Sequence, residues 1–206
     1  MPPRRIGVLG LQGAAVEHRA AVEKLGHVAV DVRRPAHLAG IDGLIIPGGE
    51  STTISMLLES SGLFDPVAGL FAEGMAGFGT CAGMILMSRE ILDGRPDQRC
   101  FGVVDLAVRR NAFGRQSESF EVDLSIDALA EAGLGSEPFR AVFIRAPYVE
   151  SVGERVEVLA RVEGPQGAFH PVLCRAGAHL VAAFHPELTP DLRLHRLWLG
   201  GAGTQP

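Results

Sequence analysis

The stretch Gly77-Phe78-Gly79-Thr80-Cys81-Ala82-Gly83-Met84-Ile85-Leu86-Met87 decides how this chain is read. A short apolar run stops at a cysteine flanked by small residues, and a second apolar run follows. That order predicts a strand, a sharp turn and a helix. The small neighbours let the backbone bend tightly and hold the cysteine up at the turn, as in a nucleophile elbow with sulfur in place of the serine oxygen. A cysteine at a helix N-terminus also gains from the helix dipole, which favours the reactive thiolate, and has backbone N–H groups close by.

Upstream of the elbow the pattern alternates. Ile6 to Leu11 predicts a buried strand, Ala14 to Leu25 a helix with Val16, Ala20, Val22 and Leu25 facing inward, and Val28 to Val32 a second strand. Gly43 to Pro47 predicts a third strand, Ser51 caps a helix through Leu58, and a further helix runs from Leu63 to Glu73. Strands alternating with helices imply an open, largely parallel sheet covered on both faces. The fold class is therefore α/β, a flavodoxin-like three-layer sandwich. The second half adds strands with few helices between them: Phe101 to Arg109, Ser119 to Leu124, Ala141 to Arg145, Val156 to Val162, Val172 to Arg175 and Leu180 to Phe184. These predict additional antiparallel pairing. A last helix spans Thr189 to Leu199. No repeat or linker divides the chain, so residues 1–199 are expected to form one domain, with 200–206 a flexible tail.

Composition narrows the function. The chain has 206 residues, 47% hydrophobic and 21% charged, with a net charge of −5. That balance suits a folded globular protein and carries no electrostatic footprint for nucleic acid. No apolar run reaches the length of a membrane span. The three cysteines, Cys81, Cys100 and Cys174, are far apart and form neither a disulfide framework nor a metal-ligand pattern, so a cytoplasmic location is expected. Cys100 and Cys174 read as small core residues. His18, His27, His37, His179 and His195 are scattered and read as solvated or packed, with no metal site implied.

Far downstream stands His185-Pro186-Glu187. Proline favours an extended backbone before it, and residues i and i+2 of an extended segment share a face. The carboxylate is thus placed to hold the imidazole ring. If the fold brings His185 to Cys81, a Cys–His–Glu triad results. Pro47-Gly48-Gly49-Glu50-Ser51 lies between a strand and a helix, where α/β sheets bind ligands. Its glycines free backbone N–H groups that, with the N–H of Ala82, make an oxyanion hole from Gly49 and Ala82.

Gly79-Thr80-Cys81-Ala82-Gly83 with the distant His185 and Glu187 resembles the class I, or triad, glutamine amidotransferases. More narrowly, the chain resembles the PdxT/SNO family, the glutaminase subunits of pyridoxal 5'-phosphate synthase. That match rests on Gly7 to Gly13 with Glu17-His18, on Pro47 to Thr53, on Arg110 to Gln116 with Ser119-Phe120-Glu121, on Phe143 to Pro147, and on Phe184 to Thr189. The resemblance implies hydrolysis of L-glutamine to L-glutamate and ammonia, with Cys81 as nucleophile, His185 as proton carrier and Glu187 as its orienting partner. It implies substrate contacts at Gly49, Glu50, Ser51, Arg110, Ile144 and Arg145, and no cofactor. It further implies a PdxS-type β/α barrel synthase subunit as partner in a large hetero-oligomer, whose docking orders the loop at Gly48-Gly49. The alternatives are a triad glutaminase serving another biosynthesis, a cysteine hydrolase on a related sheet, and an inactive regulator.

Overall fold

Phe78 and its two neighbouring glycines divide the molecule into layers. A computed structural model describes residues 2–110, 119–164 and 167–201. In strand β4 (Ala76–Thr80) the Phe78 ring meets His18, His195 and Trp198, whereas a side chain at Gly77 or Gly79 would meet Phe71 and Met87. Successive residues of a strand point to opposite faces. The helices carrying those partners therefore cover the two sides of one sheet. On one side lie α1 (Ala15–Lys24) and α6 (Arg193–Gly201), and on the other α3 (Phe64–Ala72) and α4 (Ala82–Met87).

The sheet has seven strands. Its parallel part runs β12 (His179–Ala182), β4, β3 (Gly43–Ile46), β1 (Arg5–Leu9) and β2 (Val28–Val32). β3 is buried at all four positions, as expected for a strand covered on both faces. Beyond β12 the sheet continues antiparallel through β11 (Phe169–Ala176) to β10 (Glu157–Glu163). A three-stranded sheet of β5 (Ser88–Ile91), β6 (Val104–Arg109) and β9 (Tyr148–Val152) and a β7–β8 hairpin-like pair (Ser119–Leu124, Phe139–Ile144) complete the second half. The α/β class, the mostly parallel central sheet and the added antiparallel strands are as the sequence predicts.

Several details differ. Val16 does not face inward: it is 62% exposed, and the buried stripe of α1 is Ala15, His18, Ala21 and Val22. The N-cap of α2 (Ser51–Ser60) is Glu50 rather than Ser51. Its carboxylate accepts hydrogen bonds from the N–H groups of Thr52 and Thr53, at 3.2 and 2.7 Å. β5, β9 and the short helix α5 (Asp127–Glu131) are not foreseen. The last helix starts at Arg193, four residues later than expected, and takes in Gly200 and Gly201. The remainder of the tail lies outside the described residues, as does the Asn111 to Gln116 motif.

Candidate active site

β1 is flanked by β3 on one side and β2 on the other, so the chain winds away from it in both directions. In open α/β sheets the crevice at such a reversal, beyond the carboxyl ends of the strands, is where ligands bind. The segments leaving β1, β3, β4 and β12 at that edge supply Gln12, the Gly48-Gly49 loop, Cys81 and His185. They line a cleft of about 600 Å³ that also takes in Glu50, Ser51, Arg110, Ile144 and Arg145. The sequence-predicted site residues are thus gathered in one place, with Glu187 behind His185 and Ala82 at the start of α4.

Cys81 joins β4 to α4 with φ 49° and ψ −105°, a sparsely populated conformation for a residue with a side chain. The surroundings hold it there. Its N–H donates to the Ala182 carbonyl at 2.8 Å, and a Cβ at Gly83 would run into the Ile46 carbonyl, so only glycine lets α4 pack this tightly against β3. The thiol points into the cleft, 4.0 Å from the Ile144 carbonyl oxygen.

His185 follows β12 by three residues and is tied to β8 through its N–H, which donates to the Val142 carbonyl at 2.8 Å. Its Nδ1 lies 2.7 Å from Glu187 Oε1, and the ring lines the cleft together with Cys81. Burial opposes charge on this ring. The neighbouring Cys81 and Glu187 side chains outweigh burial and hold the imidazole up at about 10 from its ordinary 6.5. At neutral pH the cluster therefore favours imidazolium beside sulfur.

The glycine loop is already partly committed. Gly48 N–H donates to Thr80 Oγ1 at 3.1 Å and Glu50 N–H to Gln12 Oε1 at 2.9 Å. Among the described residues the Gly49 N–H between them finds no partner, and the N–H of Ala82, first in α4, has none within its helix. Gly48 itself has no room for a side chain, because a Cβ there would collide with the His185 ring and come within 3.2 Å of Cys81 Cβ.

At the outer end Arg110 bridges Glu50 Oε1 at 3.3 Å, Thr52 Oγ1 at 2.7 Å and Gln98 Oε1 at 3.3 Å. Burial alone would raise the Glu50 carboxyl, but the hydrogen bonds from Thr53 and Thr52 and the nearby Arg110 charge bring it below the usual range. Arg145 adopts φ 45° and has no ion-pair or hydrogen-bond partner among the described residues.

Behind Glu187 stands His18, which the sequence groups only with scattered histidines. His18 is fully buried, with Nε2 3.1 Å from Thr80 Oγ1 and 3.3 Å from Glu187 Oε2, and Nδ1 2.9 Å from His195 Nε2. Burial holds His18 well below its ordinary pKa, helped by the charges of His195 and His185, and burial holds His195 down to about 4. The signal was periodicity: Ala15, His18 and Val22 share one helical stripe. Gln12, within the Gly7 to Gly13 stretch, also lines the cleft.

No group of histidine, cysteine or carboxylate side chains among the described residues is arranged to hold a metal ion. No helix among them is long and apolar enough to cross a membrane.

Fold and cleft together define a chain of the glutamine amidotransferase class. More particularly, it belongs to the SNO glutamine amidotransferase family, whose profile matches residues 8–201. It is 53% identical to the pyridoxal 5'-phosphate synthase subunit PdxT of Frankia alni over 195 residues, 95% of this chain and 93% of that one. A crystal structure of a glutamine amidotransferase superposes with a TM-score of 0.86 at 49% identity, covering 97% of this chain and 99% of that one. PurLQS from Thermotoga maritima shares the fold at a TM-score of 0.71 and 16% identity, over 97% of this chain and 99% of that one.

Proposed function

We propose that this chain is the glutaminase subunit of a pyridoxal 5'-phosphate synthase, hydrolysing L-glutamine to L-glutamate and ammonia through Cys81, His185 and Glu187. The carrying observation is the position of His185, lining the cleft together with Cys81 and hydrogen-bonded to Glu187 at 2.7 Å. The Cys81 thiolate attacks the side-chain carboxamide carbon. As the carbon–nitrogen bond breaks, the His185 imidazolium gives its proton to the departing ammonia, leaving a glutamyl thioester. Neutral His185 then takes a proton from water, whose oxygen attacks the thioester, and the thiolate leaves. The oxyanion of each tetrahedral intermediate is met by the free N–H groups of Gly49 and Ala82.

Glutamine carries an α-carboxylate and an α-ammonium. The outer cleft offers charges of both signs in Arg110, Arg145 and Glu50, with Ser51 and the Ile144 backbone beside them. Kinship to subunits named for pyridoxal 5'-phosphate synthase supports delivery of ammonia to a separate PdxS-type β/α barrel subunit. Assembly is with that barrel in a large hetero-oligomer, in the cytoplasm, without a cofactor on this subunit. Residues 1–199 act as one domain.

Glutamate release from L-glutamine, measured with and without a synthase subunit from the same source, tests the reading. Strong stimulation is expected. Hydrolysis indifferent to the synthase would point to another ammonia acceptor, and none in either case would remove the glutaminase.

A further inference from the structure

The buried pair His18–His195 belongs to no step of that chemistry, yet it touches both halves of the site. His18 faces Glu187 Oε2 and Thr80 Oγ1 with the same nitrogen, and Thr80 Oγ1 accepts the N–H of Gly48. One imidazole from α1 thus stands between the carboxylate behind His185 and the loop carrying Gly49. The rings are clamped: Phe78 packs edge-on against His18 and against His195, with centroids 6.1 and 5.4 Å apart.

Which nitrogen carries the proton follows from what surrounds each. With a proton on His18 Nδ1, the ring would donate to His195 Nε2. His195 would then carry its own N–H on Nδ1, which is buried and has no hydrogen-bond partner among the described residues. Glu187 Oε2, also buried and without an aligned donor, would face a ring lone pair. The other arrangement removes the first fault and turns the positive edge of the ring, rather than a lone pair, toward Glu187 Oε2 at 3.3 Å. His195 Nε2–H donates to His18 Nδ1, His195 Nδ1 is left as a bare lone pair, and His18 Nε2–H donates to Thr80 Oγ1 beside the Glu187 carboxylate. An unsatisfied buried N–H costs more than an unused lone pair beside a ring.

We infer that His18, held as the Nε2–H tautomer by His195, is a positioning residue that fixes Glu187 and, through Thr80, the Gly48-Gly49 loop in one arrangement. The inference rests on the proposed function, because the atoms it positions are those of the triad and the oxyanion loop. It predicts that the donor at this point matters, beyond the volume of the ring. His18→Gln places an amide N–H near the position of Nε2, whereas His18→Leu fills the space without one.

Two measurements on the full chain decide it. Nitrogen NMR of histidine-labelled protein, with signals assigned from His18→Gln and His195→Gln, reports the tautomers without any turnover. The expected result is a protonated Nε2 on both rings near neutral pH, and a protonated Nδ1 on His18 would overturn the inference. Glutaminase assays with the synthase present supply the second. His18→Leu is expected to lose roughly 10- to 100-fold in kcat with KM for glutamine within about two-fold, while His18→Gln recovers most of the loss. Equal activity of the two variants, or a better leucine variant, would overturn it. A wild-type chain that hydrolyses no glutamine strikes the proposed function instead. In that case, or if the leucine variant does not fold, the tautomer measurement still decides.

Discussion

His185 Nδ1 and Glu187 Oε1 lie 2.7 Å apart across a single proline. The proline sits at the start of a 3-10 turn, Pro186–Leu188, that turns the carboxylate back under the imidazole. With Nδ1 held, the ring is fixed in the cleft that Cys81 also lines. Glu187→Gln keeps the shape and removes the charge, so the imidazolium loses the carboxylate that holds it. Glutaminase kcat is expected to fall by roughly 10²- to 10⁴-fold, with far-UV circular dichroism unchanged. A variant with wild-type kcat would show that Glu187 does not tune His185.

The same pair makes stability depend on pH. The folded-state pKa of His185 is raised to about 10 from 6.5, so its stabilising contribution is complete below about 6.5 and is lost as pH rises through about 10. Urea unfolding across that window is expected to show a decline that His185→Gln lacks. Parallel curves for the two proteins would contradict the assigned partners.

Gly48→Ala is expected to abolish turnover. Its Cβ has to displace the His185 ring and crowd Cys81, and the strain is expected to destabilise the fold by about 1–3 kcal/mol. Parallel glutaminase assays and urea titrations check this, and a fully active alanine variant would mean that the loop moves away from the ring.

Glu50 has two duties, capping α2 and holding Arg110. Glu50→Ala is expected to cost about 1 kcal/mol in stability through the lost cap. Freed from its partner, Arg110 no longer sits where substrate charge is met. A rise of roughly 10-fold or more in KM for glutamine is expected, with a smaller change in kcat. An unchanged KM would remove Glu50 and its ion pair from substrate binding.

Much of the fold is legible in local pattern. β1, β2 and β3 are short apolar runs bounded by turns, and their alternation with helices leaves little choice but a parallel sheet. The cysteine elbow is written in the glycines around Cys81. α1 shows where pattern fails. Its apolar residues nearly encircle the helix, so Val16 reads as inward as Val22. The choice falls to the tertiary structure, which buries His18 because Thr80, Glu187 and His195 satisfy its polar edge. Those partners lie 62, 169 and 177 residues away, and no window of sequence contains them. Glu50 displaces Ser51 as cap for a similar reason: a longer acidic side chain one residue earlier reaches two N–H groups and is steadied by Arg110 from beyond β6.

The central claim is that Cys81 carries the glutamyl group. The most direct test is rapid acid quenching of the subunit with glutamine and the synthase, followed by mass spectrometry of the peptide containing Cys81. The account predicts a glutamyl adduct on Cys81 during turnover, absent from Cys81→Ala together with glutamate release. Glutamate release by Cys81→Ala at the wild-type rate, or an adduct on another residue, would contradict it.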